Sequence, residues 1–161
     1  MKVSESAITR YTIEIPQAIL DDLNRRLANT RWPQGPDLGW EGGMDGNYLR
    51  SYCDYWREEY NWRHEEQKLN LLPHYRTEID GIGIHFVHGR GKGPAPFPLI
   101  LTHGYPDSFY RFVKLIPLLT DPASFGGHAE DAFDVVIPDI PGYGFSDKPG
   151  KLGSTFRVSD L

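Results

Sequence analysis

The sequence predicts an α/β domain with a mostly parallel sheet, preceded by a helical segment. Apolar residues recur with a helical period as far as Pro73 and with a period of two from His74 onward. Two continuous apolar runs of strand length follow, FPLILTH at residues 97–103 and FDVVIPD at residues 133–139. Such runs are typical of strands buried on both faces of a parallel sheet. We therefore expect a helical segment over residues 1–73 and an incomplete α/β core over residues 74–161.

The first predicted helix begins at Pro16, because proline is favoured at the first helical position. Its acidic side chains stand early and its basic ones late, as the helix dipole favours. The stretch 33–46 that follows is too rich in Pro and Gly for regular structure and is predicted to be a loop. The apolar stripe of this helix consists of Ile19, Leu20, Leu23 and Leu27.

The segment 47–62, NYLRSYCDYWREEYNW, repeats the helical period and predicts a second helix. We interpret its aromatic face as a packing surface, since helical spacing alone explains it, and we expect Cys53 to be buried. A short third helix around residues 64–72 is expected to end at Pro73. The face of the second helix comprises Leu49, Tyr52, Cys53, Trp56 and Tyr60.

The remaining elements are strands and one crossover. HYRTEI and IGIHFVH flank Asp80-Gly81, and this pair tolerates the positive φ angles of a tight hairpin turn. The run at residues 108–119, SFYRFVKLIPLL, carries apolar residues on one helical face between the two continuous strands. This order predicts a strand-helix-strand crossover.

Composition excludes several classes of function. The net charge is −5, and the charges of both signs are interspersed, so no basic stripe suggests nucleic acid. No apolar stretch approaches the roughly 18 residues of a membrane span, and the first residues carry no unbroken apolar run. Cys53 is the only cysteine, which leaves no intrachain disulfide and no thiolate metal cluster. We expect a soluble, cytoplasmic protein that binds neither nucleic acid nor membrane.

Two motifs that suggest phosphate or metal binding fail on inspection. GRGKG at residues 89–93 is followed by PAP, whereas a phosphate-binding loop needs a helix N-terminus behind it. His85 and His88 lie three residues apart in a predicted strand, so they point to opposite faces and cannot chelate one metal ion. We expect no metal site and no cofactor.

A search for a catalytic nucleophile in the sequence finds no suitable candidate. None of the serines Ser108, Ser124, Ser146 and Ser154 lies in the Gly-x-Ser-x-Gly pattern of a strand-to-helix nucleophile turn. Asp45, in GMDGN, has no strand leading into it. Asp139 precedes Ile-Pro rather than a helix start, and Asp107 is as easily a helix cap.

Four motifs occur along the chain in this order: LANTRWP, YWREEYNWRHEEQKLNLLPHYRTEIDGIGIHFVH, LTHGYPDSF and DAFDVVIPDIPGYGFSDKP. Together they resemble the N-terminal part of an epoxide hydrolase of the α/β-hydrolase superfamily. The resemblance covers the chain from about Tyr11 to its end. HGYP alone is shared with dehalogenases, esterases and lyases, and the helical TRWP, YWR and YNWR arrangement narrows the branch.

The resemblance implies the N-terminal half of an α/β-hydrolase fold with its first four strands, and it gives HGYP a role. One oxyanion-hole N–H in such hydrolases comes from the loop after the third strand, where Tyr105 stands. Gly104 would let the backbone approach closely, Pro106 would lock the turn as a cis peptide, and His103 would anchor the loop by hydrogen bonds. The structural alternative is a rigid turn without chemistry. Tyr105 replaces the usual tryptophan and Asp107 the usual glycine, and both changes leave a backbone donor in place.

The resemblance also implies that an epoxide is hydrolysed to a vicinal diol through an aspartyl ester. The nucleophile, the acid and the base are all expected beyond Leu161, so residues 1–161 are expected to be an inactive N-terminal fragment. The substrate of the complete enzyme would be a small apolar epoxide. The alternatives are a non-catalytic truncated domain that pairs with another chain, or another hydrolase of the superfamily such as an esterase or dehalogenase.

The usual strand order of the fold places the PLILT strand between the FDVVIP strand and a later one. Leu99 to Thr102 would then form an apolar sheet edge in residues 1–161. An unpaired, uncharged edge is a template for intermolecular pairing, so we expect self-association through it.

Overall fold

A computed structural model describes residues 7–35 and 38–150. The chain divides into two compact units. Residues 13–69 form a helical unit, and the residues before and after them form a sheet unit. Among the described residues, no helix is both long and apolar enough to cross a membrane.

The described residues of the helical unit form three α-helices, as the periodicity predicts. They are α1 (Gln17–Ala28), α2 (Gly46–Glu58) and α3 (Trp62–Leu69). Pro16 immediately precedes α1, and Arg25 and Arg26 lie in its last turn. The Asp45 carboxylate caps α2 by accepting a hydrogen bond from the Tyr48 N–H at 2.7 Å. The predicted loop 33–46 contains one 3₁₀ turn, Gly39–Gly42.

The aromatic face of α2 is less buried than its spacing predicts. Cys53 is half-buried rather than buried, while Tyr52 and Trp56 are 54% and 39% exposed. These two rings help to line an open groove of about 740 Å³ that Leu20 and Leu23 of α1 also line. The prediction of burial for Cys53 is therefore wrong, because α1 leaves part of this face uncovered.

The described strands of the sheet unit are β1 (Thr9–Arg10), β2 (His74–Ile79), β3 (Ile82–Gly89), β4 (Phe97–Ile100) and β5 (Phe133–Pro138). They form a mixed sheet in the order β1-β2-β3-β5-β4. β4 pairs parallel with β5, and the other three pairings are antiparallel. The α/β fold is confirmed, but the described part of the sheet is mixed rather than mostly parallel, because β3 of the hairpin pairs antiparallel with β5. The sequence analysis also misses β1, which is two residues long.

The hairpin between β2 and β3 turns at the predicted pair. Asp80 and Gly81 have φ angles of 51° and 79°, and Ile79 pairs with Ile82 across the turn. Both residues therefore take the left-handed conformation that the Asp-Gly pair allows.

The crossover between β4 and β5 is not one continuous helix. A 3₁₀ turn at Phe109–Phe112 is followed by the short helix α4 (Ile116–Thr120), with Pro117 in its first turn. Proline has no N–H and clashes with the carbonyl of the residue four positions earlier, so it begins a helix but does not continue one. Apolar periodicity alone misses this break.

The two strands with continuous apolar runs, β4 and β5, differ in how much of their side chains is buried. Val135 and Ile137 of β5 are fully buried, as predicted, whereas Phe97 and Ile100 of β4 are 70% and 53% exposed. β4 is the edge strand of the described sheet, which is why the prediction of burial on both faces fails for it. The predicted position of this strand at the sheet edge is confirmed.

Candidate functional site

The HGYP loop directly follows the exposed edge strand β4. Tyr105 is 87% exposed, and the Tyr105-Pro106 peptide is cis, as predicted. Within residues 7–35 and 38–150, no hydrogen bond involves the Tyr105 N–H. A Cβ atom on Gly104 would meet no described atom within 4 Å. The loop therefore presents an unpaired donor beside open space.

His103 attaches this loop to the chain segment after β5. The ring is buried, its Nδ1 lies 2.9 Å from the Gly104 carbonyl, and its Nε2 lies 3.1 Å from the Ile140 nitrogen. Because the Ile140 N–H can only donate, Nε2 accepts and Nδ1 carries the proton. This pair of bonds fixes the neutral tautomer and the orientation of the ring.

Asp107 is engaged in local contacts. Its carboxylate accepts a hydrogen bond from the Ser108 N–H at 2.9 Å and pairs with Arg111. The Ser108 hydrogen bond first, and then Arg111, hold the pKa of this carboxyl below its usual value. The N-cap of the 3₁₀ turn is Ser108, whose hydroxyl accepts from the Tyr110 N–H, so Asp107 stands one residue before the cap.

Asp139, which the sequence analysis set aside as a nucleophile, is a polar group whose contacts the sequence does not indicate. Its carboxylate is fully buried and accepts from His85 Nδ1 at 2.7 Å, the Phe109 N–H at 2.8 Å and the Phe145 N–H at 3.0 Å. A carboxylate that is enclosed in this way does not reach a substrate. The sequence places it at a strand end but gives no sign of these partners, since His85 is 54 residues away.

A second buried histidine continues this network. His74 Nδ1 lies 2.9 Å from His85 Nε2, and both imidazoles are buried. The ring of Phe109 meets both imidazoles edge-on, and the ring of Phe145 meets His85 edge-on. The line of polar atoms from His74 through His85 to Asp139 is therefore enclosed by aromatic rings.

Tyr11 lies at the margin of the same network. Its ring centroid is 5.2 Å from that of His85. Burial raises the pKa of the Tyr11 phenol, with Arg76 acting in the opposite direction and Asp139 adding to the rise.

Among the described residues, no group of three or more His, Cys, Asp or Glu side chains is placed to hold a metal ion.

A family comparison matches the chain over the residues that build this loop and its support. Residues 8–112, more than half of the chain, match the family model described as "Epoxide hydrolase N terminus". The chain belongs to the epoxide hydrolase family. Residues 98–161 match a second model, the alpha/beta hydrolase fold.

Related epoxide hydrolases resemble the chain in sequence and in fold. A "Putative epoxide hydrolase" of Stigmatella aurantiaca is 51% identical over 91% of this chain and 33% of its own length. Epoxide hydrolase 1 of Oryctolagus cuniculus is 38% identical over 97% of this chain and 36% of its own length. The chain thus spans about a third of the length of these curated relatives.

Two of the solved structures that resemble the chain are also epoxide hydrolases. The Aspergillus niger enzyme gives a TM-score of 0.78 at 30% identity, covering 93% of this chain and 39% of the other. The juvenile hormone epoxide hydrolase of Bombyx mori gives 0.79 at 32% identity, covering 93% and 40%. The chain therefore shares the α/β-hydrolase fold with these two epoxide hydrolases of related sequence.

Proposed function

We propose that this chain supplies one half of the oxyanion hole of an epoxide hydrolase, with the Tyr105 N–H as the donor. The observation that carries the proposal is that this N–H is unpaired among the described residues and stands on an exposed, anchored loop. A donor that is held in place before the reaction stabilises developing charge without reorganisation.

The reaction sets the step at which this donor would act. A carboxylate attacks an epoxide carbon, the carbon–oxygen bond breaks, and the epoxide oxygen takes a proton from an acid. Water then adds to the resulting ester, which gives a tetrahedral oxyanion. The Tyr105 N–H would stabilise that oxyanion until it collapses to the diol and the free carboxylate.

The nucleophile would lie outside the described residues. Asp45 caps α2, Asp107 is paired with Ser108 and Arg111, and Asp139 is fully buried. Each of these carboxylates already accepts a hydrogen bond from a neighbouring residue. The proposal also assigns the acid and the base of the reaction to residues outside the described ones.

Aromatic rings beside the loop favour a small apolar epoxide as substrate. The Tyr105 and Tyr143 ring centroids are 6.2 Å apart at an interplanar angle of 87°, and Tyr143 also meets His103. Rings in this arrangement offer an apolar wall with polar hydroxyl ends.

The test is single turnover of styrene oxide by the protein that contains this chain, in water labelled with ¹⁸O and with enzyme in excess. An aspartyl ester places unlabelled carboxylate oxygen in the first diol, which mass spectrometry detects. Label in the first diol would contradict the ester route. Hydrolysis of p-nitrophenyl acetate with no diol from the epoxide would favour an esterase instead.

A further inference from the structure

The segment from His103 to Phe109, which contains the HGYP loop, is attached at both ends to two adjacent residues. At one end, the Ile140 N–H donates to His103 Nε2 at 3.1 Å. At the other end, the Phe109 N–H donates to an Asp139 carboxylate oxygen at 2.8 Å. The position of this segment is therefore set by the turn after β5.

The Asp139 carboxylate has little freedom to move. A Cβ on Gly144 would lie 2.0 Å from one of its oxygens, and Gly144 has a φ of +49°. The same oxygen accepts from His85 Nδ1 and from the Phe145 N–H. Close backbone approach on one side and the His85 ring on the other therefore hold this oxygen, and the other oxygen of the same carboxylate accepts from the Phe109 N–H.

The partners of Asp139 engage both of its carboxylate oxygens. The Phe109 and Phe145 N–H groups can only donate, so one oxygen accepts from Phe109 and the other from Phe145. His85 Nδ1 lies 2.7 Å from the oxygen that also accepts from Phe145. Three close partners on two oxygens therefore fix the orientation of the carboxylate.

We propose that Asp139 is the positioning residue of the oxyanion loop, held by His85 and acting through the Phe109 N–H on the segment that carries Tyr105. The inference rests on the proposed function, because it assigns a support to the same donor. Asp139 does not touch substrate in this account. Its effect is to fix the direction of the Tyr105 N–H.

The experiment compares Asp139→Asn with Asp134→Asn in the protein that contains this chain. Asp134 lies in β5, the strand that Asp139 directly follows. Its carboxylate accepts a hydrogen bond from the Gly91 N–H at 2.7 Å, so it supports a different loop. Asp139→Asn should lower kcat for styrene oxide by about tenfold or more and lower KM in parallel, because the misaimed donor acts on hydrolysis of the ester, after the covalent step that captures the substrate. Asp134→Asn should change neither constant. Equal losses in the two variants would overturn the inference.

Hydrogen exchange separates this inference from the proposed function. Peptides spanning residues 101–112 should exchange faster in Asp139→Asn than in the parent protein, and unchanged exchange would overturn the support role whether or not the protein hydrolyses epoxides. A parent protein without hydrolase activity, combined with faster exchange, would contradict the proposed function and retain Asp139 as the loop support.

A second pair of variants covers the case in which Asp139→Asn does not fold. His85→Asn keeps an N–H near the position of Nδ1, whereas His85→Leu removes it. The Asn variant should retain most of kcat, and the Leu variant should lose most of kcat with KM falling in parallel. If the two variants have equal kcat values, the inference is wrong.

Discussion

Tyr105 contributes a backbone group to the proposed site, so its side chain and its N–H can be tested separately. In a protein that carries this chain together with the proposed nucleophile, Tyr105→Phe keeps the N–H and should change kcat only modestly. Pro106→Ala removes the ring that fixes the φ angle of residue 106, and it should misaim the donor at a cost of about 3 kcal/mol, on the order of a hundredfold in kcat. Steady-state kinetics with styrene oxide measures both. Equal effects of the two substitutions would count against a backbone donor.

At the residue scale, the HGYP loop could be predicted from the sequence, whereas its buried support by Asp139 and His85 could not. The Gly-aromatic-Pro turn and the anchoring His103 follow from four adjacent residues and a family resemblance. Asp139 and His85 form their contact only because β3 and β5 pair in one register, with Phe86 opposite Pro138. No sequence spacing encodes that register, so the buried support needed the structure.

At the scale of elements, α3 carries a buried carboxylate that ties it to the chain before α1. Glu66 accepts from the Ile15 N–H at 2.7 Å, from Trp62 Nε1 at 3.0 Å and from Arg63 at 2.6 Å. Burial raises the pKa of Glu66, but these three hydrogen bonds outweigh it and lower the pKa below 4.5. The stabilisation is therefore present above about pH 4.5 and is lost as the pH falls through the lowered value.

Glu66→Gln should lower the free energy of unfolding of the helical unit by about 2 kcal/mol at pH 6, since it weakens hydrogen bonds to a charged group. The difference from the parent chain should shrink at pH 3.5. Urea unfolding followed by tryptophan fluorescence measures this, because all four tryptophans of the chain lie between residues 32 and 62. Glu65→Gln is the control, as Glu65 pairs with Lys68 at the surface. A difference that is the same at both pH values would contradict the role of ionised Glu66.

Apolar periodicity predicts some of the helices and strands correctly and fails for others. It predicts α1, α2 and the hairpin well, because α1 has a proline start, α2 has a regular apolar period and the hairpin has an Asp-Gly turn. It fails for the crossover, where the single residue Pro117 divides an otherwise continuous apolar face. It also fails for the burial of β4, since burial depends on which elements cover a strand.

For the whole molecule, we expect residues 1–161 alone to hydrolyse no styrene oxide above the uncatalysed rate. The carboxylates Asp45, Asp107 and Asp139 are occupied by their own neighbours, so the Tyr105 N–H has no ester to act on. The assay is diol formation measured by chromatography. Diol formation above the rate in buffer would show that a nucleophile lies within these residues.

The exposed edge of β4 should make residues 1–161 self-associate. Phe97 and Leu101 donate their N–H groups to the Ala132 and Val136 carbonyls, so Pro98 and Ile100 face the free edge. Pro98 offers no N–H there, but the Ile100 N–H and its exposed side chain remain.

Ile100→Lys should reduce this association, because a charge on an edge strand opposes pairing with another strand. Leu71→Lys is the control, since Leu71 is 85% exposed and lies outside the sheet. Sedimentation at micromolar concentration gives the result. A monomer in the unsubstituted chain, or equal effects of the two lysines, would rule out association through this edge.

The most direct test of the oxyanion role is the intact mass, after mixing with styrene oxide, of a protein that carries this chain together with the proposed nucleophile. If the loop stabilises the oxyanion of ester hydrolysis, Pro106→Ala should slow that step more than the first attack and accumulate protein that is heavier by one substrate molecule. The parent enzyme and Tyr105→Phe should accumulate little of this adduct. A slow Pro106→Ala variant without adduct would contradict the assignment of the Tyr105 N–H to ester hydrolysis.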